Sequence, residues 1–353
     1  MKVDTKELAT ALEAVKPGIS KKDIVEQMTH FIFTKDAVTT YDDQLCVSYP
    51  IETGLKCTVK ADTLSRLVKR IEAKTLVLKM KEVEEGEGEQ LLVKSTGLRG
   101  EIPVLIDEDI YQHVAEVQKQ EKAAKWVKIP KGLLAAMEFC MFAASKDAQH
   151  PHSTCVGIKG KDVVASDKVR IGWGQIEEST RKNFMISALS TAELVRFGGF
   201  ITFCVSDTWV HFKTRDKAIF HIRRNKGDYP ITMCKKLFDG FSGISLYLSD
   251  GDREAILEAV NTSSAISEVA LIEKTVKMSF EKGKVTCEST SESGTVSRTR
   301  KIKYDGDEFS FYINPIFISQ ILNRDEPTEL IVGERMINLK ADNMQHLLAL
   351  RSV

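Results

Sequence analysis

The sequence predicts an α+β protein made of three repeated units, each with two helices backed by short strands. The first observation is an amphipathic helix at Ala61–Ile71, whose apolar residues follow the i, i+3, i+4, i+7 spacing of one helical face. Similar stretches occur at Thr191–Phe197 and Ile318–Arg324, each between strand-like runs. Equivalent apolar positions in the three stretches lie at equal intervals, at Leu67, Leu194 and Ile321. A fixed order of elements that recurs three times indicates an internal repeat.

The first unit opens with a predicted helix at Thr5–Val15, which Lys16-Pro17-Gly18 ends because proline and glycine both interrupt a helix. The acidic connector Glu82–Glu89 predicts a solvated hairpin loop, with a metal site as the alternative. The strand-like runs of this unit are short and are bounded by polar turns. They are His30–Phe33, Leu45–Tyr49, Cys57–Lys60, Thr75–Lys79, Gln90–Lys94 and Leu98–Ile106.

A polar stretch at Asp107–Lys128 follows the first unit. It is rich in Gln, Lys and Ala and shows little apolar periodicity, which predicts a linker that is partly helical. Together with the repeat, this stretch predicts three domains, at residues 1–118, 125–240 and 241–353.

The second and third units repeat the plan of the first. Their opening helices are predicted at Leu133–Cys140 and Asp252–Val260, and the stretch Asp228–Gly243 predicts an irregular connection between the units. Strands are predicted in the second unit at Thr154–Ile158, Val163–Ser166, Arg170–Gly172, Arg181–Ile186, Phe200–Val205, Trp209–Lys213 and Ala218–Arg223. Strands of the third unit are predicted at Ile244–Leu248, Val276–Phe280, Lys284–Thr290, Thr295–Ile302, Phe309–Ile313, Glu329–Val332, Met336–Ala341 and His346–Leu350.

The composition is that of a globular protein, with 42% hydrophobic and 28% charged residues. Fifty basic residues balance fifty acidic ones, so binding to nucleic acid requires charge gathered on one face. The seven cysteines form no CxxC pair, which favours a reducing cytoplasm. An N-terminus without an apolar leader, and the lack of any run of membrane-spanning length, predict a soluble cytoplasmic protein.

A search for catalytic residues finds little. His150 and His152 with Cys155 have the residue types of a metal site, but their spacing matches no structural zinc motif, so exposed loop residues are favoured. The patterns around His211 and His221 predict ordinary sheet residues. His30, His113 and His346 have no carboxylate or cysteine nearby in the sequence at the spacing of a known catalytic or metal motif. The sequence also contains no GxxxxGK[ST], GxGxxG, GxSxG or HExxH motif.

These observations predict a binding protein, with no cofactor, and not an enzyme. The alternative is a hydrolase or nuclease on a repeated α+β scaffold, with its site at Asp107–Asp109 or at His150 and His152. Four cations lie on the polar sides of the repeated helices, at Lys69, Arg70, Arg196 and Arg324. Gathered on one surface they would bind phosphate non-specifically, whereas glutamates on the same helices favour a merely solvated face.

Several segments resemble one family, the DNA polymerase III beta subunit of bacteria, which is the sliding clamp. Val164–Ile171 (VASDKVRI) resembles the V-A-T-D-G-H-R-L segment of the family's second domain, and Lys226–Pro230 (KGDYP) resembles the D-G-x-F/Y-P turn that closes it. Phe139–Ala143 is similar to F-S-M-A at the end of that domain's first helix. Phe311–Asn323 and Leu347–Arg351 (LLALR) resemble the family's last helix and its closing L-P-x-R strand.

The chain departs from the family pattern at three places. Lys168-Val169 replaces Gly-His, Ala349 replaces the closing proline, and Asp23-Ile24-Val25 replaces a proline-rich start. These departures are those of a diverged member, from a phage or an unusual bacterium, and they bear most on partner specificity.

The resemblance implies the DNA clamp fold, with helices on the inner side and sheets on the outside of a ring. It implies a head-to-tail homodimer that encircles double-stranded DNA and serves as a processivity factor in replication. Polymerase and clamp loader would dock through short peptide motifs, without metal or cofactor. A clamp-like scaffold for transcription is the remaining alternative.

The resemblance also implies the site residues. Lys22 and Lys146 join the helix cations as the DNA-binding set, which is Lys22, Lys69, Arg70, Lys146, Arg196 and Arg324. The partner-peptide groove would comprise Ser166, Lys168, Arg170, Ile171, Leu237, Leu348 and Leu350. The dimer interface would pair the strand Leu98–Leu105 with the third domain near Val260–Thr262, through Leu98, Ile102, Val104, Val260 and Asn261. Pro103 lacks a backbone donor, which fits an edge strand.

Overall fold

The computed structural model describes residues 1–20, 25–82, 88–266 and 274–351. Two compact units divide the chain: unit 1 comprises Met1–Ile129 with Leu189–Gly227, and unit 2 comprises Pro130–Ala188 with Asp228–Val353. The described ranges hold both α-helices and antiparallel sheets, so the predicted α+β class is confirmed. In these ranges no helix is long and apolar enough to cross a membrane.

Eight α-helices lie in the described part of the chain. They are α1 (Thr5–Val15), α2 (Ala61–Val68), α3 (Glu108–Ala123), α4 (Leu133–Met141), α5 (Ala188–Phe197), α6 (Ile231–Asp239), α7 (Asp250–Ser263) and α8 (Pro315–Arg324).

Side-chain caps define the starts of several helices. The Asp4 carboxylate accepts hydrogen bonds from two backbone N–H groups at the start of α1, at 2.9 and 3.1 Å. Ser249 and Asp252 form a reciprocal capping box at the start of α7. Asn314 caps α8, whose first residue is Pro315, a position where the missing N–H costs nothing.

Unit 1 contains one antiparallel sheet of twelve strands. These are β1 (Lys2–Asp4), β2 (His30–Thr34), β3 (Ala37–Tyr41), β4 (Leu45–Pro50), β5 (Cys57–Lys60), β6 (Thr75–Glu82), β7 (Glu89–Ser95), β8 (Leu98–Leu105), β9 (Val127–Lys128), β14 (Phe200–Val205), β15 (Trp209–Thr214) and β16 (Ile219–Arg223). Their order is β1-β6-β7-β8-β5-β2-β3-β4-β16-β15-β14-β9.

Unit 2 contains two antiparallel sheets. The first has the order β13-β10-β11-β12-β24-β23-β22-β17, and the second has the order β20-β19-β18-β21. Their strands are β10 (Cys155–Lys159), β11 (Asp162–Ser166), β12 (Arg170–Gln175), β13 (Phe184–Ser187), β17 (Ile244–Tyr247), β18 (Val276–Glu281), β19 (Lys284–Ser291), β20 (Gly294–Lys301), β21 (Phe309–Ile313), β22 (Glu329–Val332), β23 (Met336–Ala341) and β24 (Met344–Ala349).

The predicted internal repeat is present in the structure. Helices α2, α5 and α8 each follow directly or closely on a strand, and they begin at Ala61, Ala188 and Pro315, which are equally spaced. Each buries an apolar face in the core of its unit, because Leu64, Leu194 and Ile321 are completely inaccessible to solvent. The equal spacing seen in the sequence is therefore a spacing between equivalent helices.

The stretch Asp107–Lys128, predicted to be a partly helical linker, is helical for most of its length and packs on unit 1. Helix α3 occupies it, with Asp107 as the N-cap residue. Ile110, Val114 and Val117 lie at helical spacing on one face and pack against Trp209 and other residues of the sheet of unit 1. The face is narrow, and the polar residues around it hid the period.

Two further features differ from the sequence-based expectation. The stretch Asp228–Gly243, predicted to be irregular, contains α6. Strands of the first and second predicted domains share one sheet, because β4 pairs with β16 from Leu45↔Ile222 to Ser48↔Ile219. The division into domains at residues 1–118, 125–240 and 241–353 stays a prediction.

Candidate functional site

A largely apolar groove lies in unit 2, with a volume of about 620 Å³. Three chain segments line it: helix α6 with the residues before it, the turn between β11 and β12, and the segment before β10. The lining residues are Gln149, His150, Pro151, His152, Ser153, Ser166, Lys168, Ile171, Tyr229, Pro230, Met233, Cys234 and Leu237. Such a surface suits the apolar side chains of an extended peptide.

Hydrogen bonds fix the turn between β11 and β12. One oxygen of the Asp167 carboxylate accepts from the N–H groups of Val169 and Arg170, at 3.0 and 2.9 Å. The Ser166 hydroxyl donates to the carbonyl of Arg170 and accepts from the N–H of Lys168. Lys168 adopts φ +76°, the left-handed conformation that favours glycine. This conformation explains why glycine suits this position in the resembled motif. Lys168 adopts the same left-handed backbone conformation here.

Helix α6 is held by its buried face. Ile231, Cys234 and Phe238 pack on Trp173 of β12 and on neighbouring strand residues. The groove side of the helix presents Met233 and Leu237, which are 66% and 42% exposed.

Tyr229 connects helix α6 with the strands. Its hydroxyl accepts a hydrogen bond from the Ser166 N–H at 2.8 Å, and its ring lies so close to Gly157 that a Cβ there would be 2.4 Å from the ring. Burial, the largest effect, raises the pKa of the Tyr229 phenol, so its hydroxyl stays protonated. A glycine at 157 is thus required by this close approach.

The structure brings together four of the seven predicted groove residues, namely Ser166, Lys168, Ile171 and Leu237. Leu348 is 1% exposed and belongs to the core of unit 2, so it does not line this cavity, and its role in the groove stays a prediction. Leu350 is half-buried and packs on that core. The alternating pattern of the last strand does not distinguish core positions from groove positions. The sequence analysis also missed His150, His152, Tyr229 and Met233 as groove residues.

Arg170 does not line this cavity, and its role in the groove stays a prediction. It is 8% exposed, its Nε donates to Asp167 at 2.8 Å, and its guanidinium stacks over the Phe317 ring at 4.2 Å. Its Nη1 donates to Gln320 of α8 at 3.0 Å. This arginine holds the turn and α8 in place.

The predicted DNA-binding residues have different surroundings. Lys69 forms an exposed ion pair with Glu13 at 2.9 Å, and Arg196 pairs with Glu193 on α5. Arg70 and Lys146 are exposed and have no ion-pair partner among the described residues. Lys22 lies outside the described residues.

Arg324 is used inside unit 2. Its Nη2 donates to the carbonyl of Phe139 at 2.8 Å, its Nε donates to Asp325 at 2.8 Å, and the group lies over the Phe142 ring. Its assignment to the DNA-binding set stays a prediction, and its guanidinium also has these partners within unit 2.

The predicted dimer-interface residues divide between strand β8 and helix α7. Strand β8 pairs with β7 from Leu98 to Pro103, but it pairs with β5 only through Val104 and Leu105. Val260 is completely buried in the core on α7, and its part in the dimer interface stays a prediction. Asn261 is exposed and accepts a hydrogen bond from Ser319 at 2.9 Å. The second sheet of unit 2 has β20 at one edge and β21 at the other.

The residues proposed for a hydrolase or nuclease do not assemble into a site. Asp107 caps α3 and accepts a hydrogen bond from Gln27 at 2.7 Å. His150 and His152 lie in the exposed turn that lines the groove. Within the described ranges, no group of three His, Cys, Asp or Glu side chains is placed to hold a metal ion. The predicted loop at Glu82–Glu89 lies largely outside those ranges.

His346 has a partner that the sequence analysis missed. Its Nε2 lies 3.0 Å from an oxygen of Asp325, and its ring stacks on Phe139 with centroids 3.9 Å apart. Burial, the largest effect, lowers the pKa of His346 to about 4 although Asp325 opposes the shift, so the neutral imidazole donates to the carboxylate. The prediction that His211 and His221 are ordinary sheet residues is confirmed in that they lie opposite each other on β15 and β16.

No protein-family model and no curated sequence matches the chain. Solved structures match it over its whole length. The DNA polymerase sliding clamp of Bacillus subtilis has a TM-score of 0.80 at 17% identity, with 100% of this chain and 98% of that chain covered. The beta subunit from the DNA polymerase of Streptococcus pyogenes has a TM-score of 0.78 at 19% identity, with 100% and 99% covered.

A third match is the Helicobacter pylori beta clamp bound to a DNA ligase peptide, with a TM-score of 0.75 at 15% identity and coverage of 100% and 99%. Matches of this quality along the full length, in both directions, establish the fold although the identities are low. The predicted clamp fold is confirmed: the chain has the fold of the bacterial DNA polymerase III beta subunits, the DNA sliding clamps.

Proposed function

We propose that this protein is a DNA sliding clamp, a processivity factor that encircles duplex DNA and tethers a polymerase to it. The observation that carries the proposal is the match to sliding clamps over 100% of this chain and 98–99% of the matched chains. A fold alone does not determine function. The proposal therefore also has to account for the unpaired strand edges, the exposed cations and the apolar groove of unit 2.

Two strand edges support a homodimer. Strand β8 in unit 1 leaves Leu98–Pro103 without a second ladder partner among the described residues, and β20 ends a sheet in unit 2. Unpaired edges invite pairing with another chain. Because the two edges belong to different parts of the chain, pairing β8 of one protomer with β20 of the next gives a head-to-tail contact, which closes into a ring when the rotation allows it.

The charge distribution suits a ring that slides. With a formal net charge of zero, the chain has no overall attraction to DNA. A few exposed cations, such as Arg70 and Lys146, and exposed cations in surface ion pairs, such as Lys69 and Arg196, give weak phosphate contacts that do not read sequence. Topological enclosure keeps the ring on DNA, and weak contacts let it move.

The groove of unit 2 is the proposed docking site for polymerase and clamp loader. Its apolar floor and the exposed Met233 and Leu237 suit anchor side chains of a short extended peptide. The protein itself acts in the cytoplasm, where its DNA is, and it carries out no catalytic step of its own.

Retention on DNA of different topology tests the proposal. The protein is loaded on nicked circular DNA by its cognate loader or by transient opening in mild denaturant, and free protein is removed by gel filtration in 0.5 M NaCl. We expect it to stay on circles and to be lost when a restriction enzyme linearises them, since only enclosure survives high salt.

The double variant Arg70→Glu and Lys146→Glu is expected to load several-fold less well, because phosphate attraction assists the encounter. Lys282→Glu, the same charge change in the turn between β18 and β19, is the matched control. Equal loss from circular and linear DNA would contradict encirclement. If the protein cleaves or degrades the circular DNA in this assay, the nuclease alternative would be favoured instead.

A further inference from the structure

We propose that strand β17 is a docking edge for an extended, basic peptide segment of a partner protein, which adds to the sheet as a further strand. No residue of β17 is among the described residues that line the apolar groove of unit 2. The inference goes beyond the proposed function, because it assigns a second binding surface to unit 2 and does not depend on the encirclement of DNA.

One side of β17 has backbone groups without a partner strand. The strand ends the first sheet of unit 2, and within the described ranges it pairs with β22 alone. The N–H of Leu248 donates to the carbonyl of Thr328 at 2.9 Å, and because an antiparallel ladder alternates, Leu246 also bonds to β22. The N–H and C=O groups of Ser245 and Tyr247 therefore face away from β22. Such a row of donors and acceptors is a template for an added strand.

Strand β17 lacks a protection that two other edge strands have. The sheet of unit 1 ends in β1 and β9, which carry the exposed Lys2 and Lys128. Charged side chains on an edge strand oppose its pairing with another chain. Strand β17 carries no charged residue, and its Ile244 and Tyr247 are 42% and 80% exposed. This edge is therefore open to a partner strand and offers apolar contact area to it.

A trough of about 300 Å³ lies beside this edge. It is lined by β17 and by the loop at residues 303–307, which joins β20 to β21. Tyr304 holds the loop, since its hydroxyl donates to the Asp307 carbonyl at 2.6 Å and its ring packs against Phe280. A Cβ at Gly306 would lie 2.4 Å from the Tyr304 hydroxyl oxygen, so the loop closes tightly around this side chain. The wall opposite β17 is therefore formed without a ligand.

The charge of the trough favours a basic partner. Asp305 and Asp307 are exposed, and neither carboxylate forms an ion pair with a described residue. Lys303 is the one cation among the described lining residues, so the carboxylates outnumber it. A lysine or arginine of a peptide gains a favourable contact here, whereas the phosphates of a nucleic acid are repelled. Main-chain hydrogen bonds give such a complex its affinity, and the charge gives it selectivity.

Fluorescence anisotropy with three labelled heptapeptides tests the preference. The peptides alternate threonine and valine, which favour an extended chain, and differ only at the central residue, which is lysine, glutamine or glutamate. We expect the lysine peptide to bind about threefold to fivefold tighter than the glutamine peptide at 50 mM NaCl, with the glutamate peptide weakest and the differences smaller at 0.5 M NaCl. Equal affinity for the three peptides, or binding of none, overturns the inference.

Hydrogen–deuterium exchange locates the bound peptide. The outward N–H groups of Ser245 and Tyr247 should exchange fast in the free protein and severalfold more slowly when the lysine peptide is bound, because a strand ladder then covers them. Protection of α6 in place of β17 would put the peptide in the apolar groove and would overturn the inference.

Two variants of the edge test the added strand. Ser245→Pro removes an outward donor and keeps the ladder with β22, because the lost N–H faces away from that strand. We expect it to bind the lysine peptide about fivefold more weakly, the effect of one hydrogen bond. Tyr247→Lys keeps the backbone donor but places a charge on the edge, and should also weaken binding. Circular dichroism checks that both variants are folded, and unchanged affinity in both contradicts strand addition.

The acidic loop is tested by neutral variants of the same shape. Asp305→Asn combined with Asp307→Asn should remove the difference between the lysine and glutamine peptides. Asp36→Asn combined with Asp216→Asn, two exposed acids of turns in unit 1, should keep it and is the matched control. An unchanged preference in the first pair overturns the charge assignment. A lower mass of Ser245→Pro in light scattering would show that a second copy of this chain covers β17, which also overturns the inference.

Discussion

Individual buried histidines give the described part of the chain its clearest acid sensitivity. His211 and His221 lie opposite each other with their Nδ1 atoms 2.7 Å apart, so one proton at most lies between them. Burial lowers the pKa of His211 to about 4, and burial together with His211 lowers that of His221 well below its usual value. In both units the folded protein therefore holds neutral imidazoles that the unfolded chain protonates near pH 6.5.

Unfolding experiments across pH test these histidines. Because the unfolded state binds more protons between pH 6.5 and about 4, the free energy of unfolding rises with pH there and falls as the solution is acidified. For His346, whose folded pKa is about 4, the loss between pH 7 and pH 4.5 is about 2 kcal/mol. Urea titrations at the two pH values measure it.

Two variants show whether His346 is the source of this pH dependence of stability. His346→Gln should reduce the pH dependence by about that 2 kcal/mol, although it also lowers stability at pH 7 by removing a buried hydrogen bond. Gln112→Ala, at an exposed position on α3, changes no titratable group and should leave the dependence unchanged. An unaltered difference between pH 7 and pH 4.5 in His346→Gln would show that this histidine is not the group that titrates.

Among the helices and strands, the repeated helices were predictable and the helices between the repeats were not. Leu67, Leu194 and Ile321 lie on copies of one amphipathic pattern. Because the pattern occurs three times, it is much less easily produced by chance than a single amphipathic stretch. Helix α3 occurs once and its apolar face consists of a few residues in a polar stretch, so periodicity alone did not reveal it. Helix α6 is short and follows Pro230, which gave the segment the appearance of a turn.

Helix α3 should contribute to stability through its narrow apolar face. Val114 is 2% exposed and packs in the same cluster as Ile32, Tyr41 and Trp209. We expect Val114→Ala to lower the free energy of unfolding by about 2 kcal/mol, from lost burial and the cavity that remains. Val77→Ala, the same change at a side chain that is 39% exposed, should cost clearly less. Equal effects in urea titrations would mean that α3 is loosely attached.

Some residues of the groove could be predicted from the sequence and others could not. The motif around Ser166 and Lys168 was recognisable because a tight turn demands particular residues in consecutive positions. Leu348 lies in the core and not at the cavity wall, which the sequence could not distinguish because an alternating strand presents apolar residues to both faces. Tyr229 and Met233 reach the groove through tertiary packing of α6, which no local pattern predicts.

At the scale of the whole molecule, the clamp proposal requires that the protein forms a dimer. Light scattering should give twice the mass of the 39.5 kDa chain at micromolar concentration, because paired strand edges of two protomers close the ring. Ser297→Pro removes a backbone donor from edge strand β20 and should shift the mass toward the monomer, with circular dichroism unchanged. A monomer for the original protein would contradict the dimer.

Cross-linking decides whether the contact is head-to-tail. All seven native cysteines are buried, so a cysteine introduced at Glu101 of β8 or at Ser297 of β20 is the accessible target for a short bismaleimide. In a head-to-tail ring each edge meets the other edge, so Glu101→Cys alone and Ser297→Cys alone should remain uncoupled, and the double variant should form covalent dimers and closed double cross-links. An isologous contact would instead couple one of the single variants to itself. Ser245→Cys on β17, the edge of the other sheet in unit 2, combined with Glu101→Cys is the matched control that should stay uncoupled.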